Sequence, residues 1–293
     1  METTVLASGL GFTEGPVIRQ TQNAGEVVVT SIDQGRVFTL DGQGGARELA
    51  DTAGSPNGAT EGADGTIFIA LVGRMGGNRA AQGLPVTRRP ALGGGIRAIR
   101  PDGALDWVTL DPVSPNDLCF GPDGLLYATD PTRRDERNDG RLWRVDPASG
   151  DAELLTSLDW YPNGIGFGLE PDVLYVASTG DGRLMRFPFS SAGLGRPEVA
   201  IELPHGLPDG FAWDVDGNLI LCAVGAGSGD HGEVQVYDRD GHLQERLRPG
   251  PHRHYTNVAI GLDCRLILTD STGGNVLGGS WPRPGLALHP FRT

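Results

Sequence analysis

One phrase recurs six times along the chain, and this repetition constrains the fold more strongly than any other sequence feature. Each copy contains a polar residue near its start, an apolar stretch, a turn and a second apolar stretch. The polar residues, called anchors below, are Glu14, Asn57, Asn116, Asn163, Asp209 and Asn257. Successive anchors are 43 to 59 residues apart, which is typical of propeller blades, whereas most solenoid repeats are shorter. The repeat therefore favours a closed ring of six units, with a linear solenoid as the alternative.

The composition within each repeat indicates short strands joined by tight turns. Asp-Gly pairs between two apolar stretches are strong hairpin signals, and they occur at Asp64-Gly65, Asp123-Gly124 and Asp216-Gly217. Glycine (46 of 293 residues) and proline (21) favour turns over long helices. The sequence therefore predicts an all-β fold, a six-bladed β-propeller with four-stranded antiparallel blades. We expect one domain over residues 1–293, with the segment TTVLASGL adding a strand to the last blade and closing the ring.

The second repeat is longer than the others, since the interval of 59 residues after Asn57 is the longest of the five. It contains the segment 74–95, which is rich in arginine and glycine and is predicted to be a long loop. Such a loop either overhangs one face of the disc and shapes a pocket, or is an ordinary surface loop.

The charged residues exclude several classes of function. All 24 basic residues are arginine, so the chain has no lysine for Schiff-base chemistry or for a phosphate-binding P-loop. A net charge of −13 repels nucleic acid, and no apolar run approaches the roughly 18 residues of a membrane span. The N-terminal residues lack the positive flank and apolar block of a signal peptide. We therefore expect a cytoplasmic monomer or homodimer that binds a small molecule and neither nucleic acid nor membranes.

Three cysteines, Cys119, Cys222 and Cys264, are too few for a disulfide framework. Each lies in or beside an apolar stretch, so we expect small buried residues in a reducing compartment. A catalytic thiol is the alternative.

The anchors are predicted to meet at one place in the folded chain. In a propeller the innermost strands line the central channel, so residues at the start of these strands surround one mouth. All six anchors carry a side-chain oxygen, the donor that hard divalent cations prefer. Glu14 and Asp209 would neutralise such an ion, and Asn163 would complete the set. Ca²⁺ is the first expectation, with Mg²⁺, Mn²⁺ and Zn²⁺ as alternatives. Asn and Asp are also common turn residues, which is the competing interpretation.

Five motifs around the anchors resemble those of a known family. They are TEGP (Thr13–Pro16), SPND with ATDP (Ser114–Asp117 and Ala128–Pro131), YPNG (Tyr161–Gly164), PDG with DGN (Pro208–Gly210 and Asp216–Asn218) and TNV (Thr256–Val258). Their spaced combination resembles the family of gluconolactonases, regucalcin-like (senescence marker) proteins and luciferin-regenerating enzymes over nearly the full chain. The SPND and TDP motifs are more similar to the bacterial gluconolactonase branch than to the animal regucalcin branch.

The resemblance implies a lactonase with one divalent metal ion. By motif, the ligands would be Glu14, Asn163 and Asp209, and Asp209 would also be the catalytic proton acceptor. Asn116 would bind the substrate or a further water molecule. Substrate contacts around the same mouth are also expected from Asn57, Asp130, Arg134 and His205.

Two departures from the family pattern concern specificity. The regucalcin branch has an arginine two residues before the substrate-binding Asn, whereas this chain has Ser114. The guanidinium contact to a sugar lactone is therefore absent at this position. Arg133 and Arg134 follow the TDP motif and would either bind an acidic substrate at the mouth or lie in solvent.

The sequence thus predicts hydrolysis of a small lactone, either a sugar lactone or a related cyclic ester. The cation would polarise the carbonyl, water would attack, and Asp209 would accept the proton. No G-x-S-x-G or H-E-x-x-H string occurs, which disfavours α/β-hydrolases and zincins. The alternatives are a non-catalytic propeller scaffold and a metal-free enzyme similar to strictosidine synthase. His252 and His254 precede the sixth anchor and are expected either at the mouth or in surface turns.

Overall fold

Six antiparallel sheets follow one another along the chain, one for each sequence repeat. The computed structural model describes residues 2–21, 23–41, 44–72, 93–131, 139–190, 193–227 and 229–292. Within these ranges the regular structure consists of 25 strands, and none of it is a helix that could cross a membrane. The predicted six-bladed β-propeller with four-stranded antiparallel blades is confirmed.

The first three blades use consecutive strands. The first strand, β1 (Thr3–Ala7), precedes them and belongs to the last blade. Blade 1 consists of β2 (Thr13–Ile18), β3 (Val27–Ser31), β4 (Arg36–Leu40) and β5 (Ala46–Asp51). Blade 2 consists of β6 (Ser55–Glu61), β7 (Ile67–Val72), β8 (Gly95–Ile99) and β9 (Leu105–Thr109). Blade 3 consists of β10 (Leu118–Phe120), β11 (Leu126–Asp130), β12 (Gly140–Val145) and β13 (Ala152–Leu158).

The last three blades follow the same plan, with one short extra strand. Blade 4 consists of β14 (Pro162–Phe167), β15 (Val173–Ser178), β16 (Arg183–Ser190), the two-residue β17 (Gly193–Leu194) and β18 (Glu198–Glu202). Blade 5 consists of β19 (Leu207–Trp213), β20 (Leu219–Val224), β21 (Glu233–Tyr237) and β22 (Leu243–Leu247). Blade 6 consists of β23 (Tyr255–Ile260), β24 (Arg265–Asp270), β25 (Asn275–Ser280) and β1.

Strand β1 closes the ring, as the sequence predicts. It pairs antiparallel with β25, with Thr3 opposite Gly279 and Val5 opposite Leu277. The first and last strands therefore share one sheet, and the outer edge of β25 is covered by backbone hydrogen bonds.

Apolar side chains fill all six interfaces between neighbouring blades. Six clusters of buried residues each combine strands of two consecutive blades, and the sixth joins blade 6 to blade 1. Aromatic pairs cross two of these interfaces, Phe68 with Phe120 (ring centroids 5.5 Å apart) and Tyr127 with Phe167 (5.4 Å). Strands such as β7 and β20 are buried at every residue because both of their faces contact a neighbouring blade. This packing holds the innermost strands around a central channel.

The innermost strands carry β-bulges at the anchors. In five blades the pairing with the second strand skips two residues: Gly15-Pro16, Asn57-Gly58, Asn163-Gly164, Asp209-Gly210 and Thr256-Asn257. In blade 3, Asn116 donates its N–H to Thr129 O (2.8 Å) and Thr129 donates to Asp117 O (3.0 Å), which gives the same two-residue offset before β10. Bulges change the direction of side chains and interrupt regular strand pairing. The anchor region therefore differs from the rest of each strand in its pairing and in the direction of its side chains.

Hydroxyl groups link the bulges of neighbouring blades. Each hydroxyl lies at or just after the end of a second strand and donates to a backbone carbonyl at the next innermost strand. The bonds are Thr30 Oγ1 to Asn57 O (2.6 Å), Thr129 Oγ1 to Asn163 O (2.7 Å), Thr179 Oγ1 to Pro208 O (2.7 Å) and Ser271 Oγ to Thr13 O (2.6 Å). Two of these bonds, to Asn57 O and Asn163 O, satisfy carbonyl groups inside the bulges, and the other two lie just before a bulge.

The C-terminal segment after β25 lies across the far ends of the innermost strands. Leu286 N donates to Trp213 O (2.8 Å) at the end of β19, and the Arg292 guanidinium donates to Gly168 O (2.5 Å) just after β14. The predicted loop over residues 74–95 lies outside the described residues, apart from 93–95.

Replacing Gly15 with alanine is expected to lower the free energy of unfolding by at least about 2 kcal/mol. Gly15 has a φ of +50°, and an added Cβ would lie 2.5 Å from Asn57 O and 2.8 Å from Ala59 N in blade 2. Gly44→Ala is the matched control, because Gly44 also has positive φ (+91°) but open space around it, so only about 1 kcal/mol is expected. Urea unfolding of both variants measures the difference, and equal losses would contradict close packing at the hub.

Candidate functional site

The anchors surround one mouth of the central channel, here called the anchor mouth. Each anchor lies at or just before the leading end of an innermost strand, and these strands run in the same direction around the ring. Four anchors are buried, and Asp209 and Asn257 remain partly exposed. The structure thus brings together side chains that are far apart in the sequence.

The six anchors do not occupy equivalent positions, in contrast to the regular spacing of the motifs. Asn57, Asn116, Asn163 and Asp209 are the first residue of the two-residue offset in their blades. Glu14 precedes the offset in blade 1, and Asn257 is its second residue in blade 6. Compared with the other four anchors, the longer side chain of Glu14 therefore begins one residue earlier along the channel. The side chain of Asn257 begins one residue later.

Three carboxyl groups in the channel, those of Glu14, Asp209 and Asp117, influence one another electrostatically. Burial raises the pKa of Glu14 well above its usual value, and the negative charges of Asp209 and Asp117 raise it further. The nearby Thr256 hydroxyl acts in the opposite direction. Each charged group that perturbs Glu14 is thus a carboxylate, and each of them opposes its ionisation.

Asp117 is a site residue that the motif analysis did not select. Burial raises its pKa to about 7, although its carboxylate accepts the Leu118 N–H (2.9 Å) and the nearby Ile165 N–H and Asn257 amide also favour the charged form. A signal was present in the sequence, because the residue after the anchor is glycine at Asn57, Asn163 and Asp209 but an aspartate after Asn116.

The donor set fits a hard divalent cation. Carboxylate and amide oxygens are the ligands that Ca²⁺, Mg²⁺ and Mn²⁺ prefer, and a cation would offset the repulsion among the buried acids. The nearby Cys222 is fully buried, and burial raises the pKa of its thiol, with Asp209 and Glu14 adding to the effect. This cysteine therefore stays protonated and matches the expectation of a small buried residue.

A second group of potential ligands lies on the hairpin between β21 and β22. One ligand atom each of Asp238, Asp240 and His242 lies within 4.8 Å of the others. Asp238 Oδ1 already accepts the N–H groups of Asp240 (3.0 Å) and His242 (2.9 Å), as expected for a tight turn. This exposed turn joins the two outer strands of blade 5 and is separate from the channel.

Asp130 lies below the surface, where its carboxylate organises the chain that leads to Asn116. It is fully buried and accepts the N–H groups of Val113 (3.0 Å) and Ser114 (3.2 Å). Asp270, at the same place in blade 6, binds His252 Nδ1 at 2.7 Å. In both blades the aspartate at the end of the second strand thus holds the segment that leads into the first strand of the same blade. A substrate contact by Asp130 stays a prediction.

The other predicted substrate residues differ in their burial and in their contacts. Asn57 is buried, and its backbone oxygen accepts the Thr30 hydroxyl. His205 is partly buried just before β19, and its backbone oxygen accepts from Gln235 Nε2 (2.8 Å). Arg134 lies outside the described residues.

His254 lies beside the chain that leads to Glu14. Its ring packs against Phe12 (centroids 5.8 Å apart), and its Nδ1 lies 2.8 Å from Thr272 Oγ1. Burial lowers its pKa to about 4, and the charge of Arg253 adds to the shift. His254 is therefore uncharged at neutral pH.

The far part of the channel holds a cavity of about 490 Å³, here called the lower cavity. The trailing halves of the innermost strands line it, together with Leu286 and Arg292 of the C-terminal segment. Asp117 and Asn257 border it, whereas the predicted ligands Glu14, Asn163 and Asp209 do not. The carboxylate cluster thus lies between the anchor mouth and this cavity.

Comparison with known proteins identifies relatives of the chain. A model of the family described as the SMP-30/Gluconolactonase/LRE-like region matches residues 12–269. Gluconolactonase from Zymomonas mobilis is 27% identical over 289 residues, which cover 88% of this chain and 75% of that protein. Adipocyte plasma membrane-associated protein from Rattus norvegicus is 26% identical over 230 residues, which cover 69% of this chain and 57% of that protein. The chain therefore spans little more than half the length of the adipocyte protein.

A solved structure with a similar fold is that of the calcium-binding protein regucalcin from Agrobacterium tumefaciens. The TM-score is 0.75 at 21% sequence identity, and the match covers 99% of this chain and 97% of that chain. At this identity the similarity is one of fold.

The wild-type chain is expected to lose stability as the pH falls from about 6.5 to about 4 through the protonation of His254. An unfolded histidine binds its proton near pH 6.5 and folded His254 only near pH 4, so acid favours the unfolded state within this window. The shift corresponds to about 3 kcal/mol, and partial exposure reduces the expected loss to about 1–2 kcal/mol.

Urea unfolding at pH 7 and pH 4.5 measures this loss in the wild type and in His254→Gln, which should lack it. His242→Gln, on the exposed hairpin of blade 5, should keep the wild-type difference between the two pH values. An identical pH dependence in His254→Gln and the wild type would contradict the assignment.

Proposed function

Because the chain belongs to the SMP-30/gluconolactonase/LRE-like family, we propose that it is a cation-dependent lactonase acting at the anchor mouth. The observation that carries the proposal is the grouping of acidic side chains in the channel, where burial and the charges of Asp209 and Asp117 raise the pKa of Glu14. A bound cation would relieve the mutual repulsion of these carboxylates and favour their ionised forms. Gluconolactonase activity in the Zymomonas relative and calcium binding in the Agrobacterium neighbour support the same proposal.

Glu14, Asn163 and Asp209 would hold the ion. Glu14 and Asp209 supply two negative charges, and Asn163 supplies a neutral amide oxygen from the opposite part of the ring. The nearby Thr256 hydroxyl, which lies 2.9 Å from Thr269 Oγ1 and 2.5 Å from Ser271 Oγ, favours the charged form of Glu14. When bound, the cation would polarise the lactone carbonyl and stabilise the negative charge that develops on its oxygen. Ca²⁺ is the proposed ion, with Mg²⁺, Mn²⁺ and Zn²⁺ as alternatives.

The protein's own residues would position the substrate and move the proton. Asn116 Nδ2 lies 3.4 Å from the Tyr161 hydroxyl, and Asp130 orders the preceding Ser114, so the Asn116 amide is held at the mouth for the lactone. Asp209, which is partly exposed, would accept the proton of the attacking water as the new C–O bond forms. It would then return the proton to the ring oxygen as the ring C–O bond breaks, which gives the open hydroxy acid.

The substrate is proposed to be small and, at Ser114, recognised differently from sugar lactones in the regucalcin branch. Ser114 is buried and offers a hydroxyl where that branch has a guanidinium group. Hydrolysis of a panel of aldono-, aromatic and alkyl lactones with each of the four cations would define the substrate class. No hydrolysis of any lactone with any ion would leave a binding scaffold as the better description.

Asp209→Asn is expected to reduce lactone hydrolysis by at least about 100-fold while the fold survives. The amide neither accepts the proton nor supplies the second negative charge for the ion. Asp216→Asn, an exposed change in the turn after β19, is the matched control and should keep wild-type activity. Initial rates and circular dichroism measure the two effects, and an active Asp209→Asn enzyme would rule out its assigned role.

A chelator is expected to lower the melting temperature, and added Ca²⁺ to raise it, because a ligand that binds only the folded state stabilises it. Glu14→Gln should lose most of this response. In chelator the same variant should be at least as stable as the wild type, since it replaces a buried carboxyl whose ionisation is opposed by burial and by its neighbours with a neutral amide. Asp238→Asn, in the exposed hairpin, should respond like the wild type. If Asp238→Asn lost the response and Glu14→Gln kept it, the cation site would lie on that hairpin and not in the channel.

A further inference from the structure

The lower cavity reaches solvent at the face of the disc opposite the anchor mouth. Leu262, in the turn between β23 and β24, and Leu288, in the C-terminal segment, both line the cavity and are 55% and 51% exposed. These two side chains therefore mark its entrance. A cavity of about 490 Å³ with a mainly apolar lining and a few polar groups is typical of sites that bind small molecules.

Aromatic side chains form the cavity wall on the side of blades 3, 4 and 5. Phe120, Phe167, Phe211 and Trp213 belong to the innermost strands of these blades and line the cavity. The rings of Phe211 and Trp213 meet edge to face, with centroids 5.0 Å apart and an interplanar angle of 81°, and Phe211 remains partly exposed. Because aromatic rings pack well against the edges and faces of other rings, this wall favours an aromatic ligand.

Two of the three arginines that line the cavity are neutralised by carboxylates. Arg19 Nε lies 3.0 Å from Glu61 Oε1, and both side chains are buried. Arg265 Nε lies 2.6 Å from Asp263 Oδ2, in the turn at the entrance. Neither guanidinium therefore leaves a net charge for a ligand to balance.

The third arginine, Arg292, differs from the other two because its guanidinium contacts only neutral groups. It donates to the backbone oxygens of Gly168 (2.5 Å) and Leu169, just after β14, and it forms no ion pair with a carboxylate of the described residues. The neighbouring His289 adds no second charge at neutral pH, because burial and the charge of Arg292 lower its pKa. One unbalanced positive charge therefore lies at the C-terminal segment, while Asp117 borders the opposite end of the cavity, near the hub.

We propose that the lower cavity is a second ligand site, which binds a small aromatic carboxylate with its ring against the aromatic wall and its carboxylate on Arg292. Arginine binds carboxylates through charge-assisted hydrogen bonds, which are stronger than those between neutral groups. The acidic group of Asp117 disfavours a carboxylate at the hub end, so the ligand has one preferred orientation. This site requires no cation and is independent of the proposed lactonase activity at the anchor mouth.

Isothermal titration of the full chain with naphthoate and with naphthylmethanol tests the proposal, because the two probes share a ring system and differ in charge. Chelator in the buffer removes any cation at the anchor mouth that could bind the carboxylate. The wild type should bind naphthoate at least about tenfold more tightly than the alcohol. Arg292→Gln should abolish this preference by weakening naphthoate binding alone, and Arg292→Lys, which keeps the charge, should bind naphthoate more tightly than Arg292→Gln. Arg283→Gln, on the same segment but paired with Asp216, is the control and should bind both probes like the wild type.

A second pair of variants tests whether the probes occupy the cavity itself. Ala259, in β23, lines the cavity and is partly exposed, so Ala259→Leu takes space from it and should weaken the binding of both probes. Ala148→Leu, in the exposed turn between β12 and β13, should have no effect. Urea unfolding shows which variants fold.

A wild-type chain that binds neither probe, or that binds both equally, would overturn the proposal. Naphthoate binding that survives both Arg292→Gln and Ala259→Leu would overturn it as well, because the probe would then lie elsewhere. A chain without lactonase activity or cation binding would contradict the proposed function and leave these affinities unchanged, so the two proposals fail separately.

Discussion

Direct contact between the backbones of neighbouring innermost strands is the constraint on which the rest of the structure depends. Gly15 lies against Asn57 of the next blade, and Gly164 lies against the Asp209 carbonyl, where an added Cβ would be 2.4 Å away. Only glycine permits such an approach without displacing the neighbour. The hydroxyl-to-carbonyl bonds of the bulges then hold the strands in register. The channel is narrow at this level for that reason, so side chains of different blades influence one another, as Asp209 and Asp117 influence Glu14.

The same narrowness explains why the channel concentrates charge. Glu14, Asp117 and Asp209 influence one another inside a closed ring of strands, where Glu14 and the neighbouring Cys222 are buried. Burial and mutual repulsion both oppose ionisation there, which is a cost that the apolar interfaces between blades must offset. Stability given up at a functional site is common in proteins, and in this molecule it is confined to the hub.

Much of the fold could be predicted from the sequence, because each repeat carries its own strand and turn signals. The six blades, their four strands and the closing role of β1 all follow from that periodicity. The offset of Glu14 and Asn257 could not be predicted, because a bulge moves a residue by one position without changing the motif around it. For Asp130 the motif alone does not reveal the contacts of the side chain. The motif marks it as a site residue, but its carboxylate accepts the N–H groups of Val113 and Ser114, which lie 16 to 17 residues away in the sequence.

The shared last blade also bears on how the molecule reaches its native state. Strand β1 is synthesised long before its partner β25, because the other 23 strands of the described structure lie between them in the sequence. Contacts between residues so distant in sequence form late and slowly, because a very large loop must close before any bond is gained. Until then the apolar faces of blades 1 and 6 stay uncovered on a nascent, incomplete disc. Chaperone binding to those two faces would therefore protect the chain during the longest step of its folding.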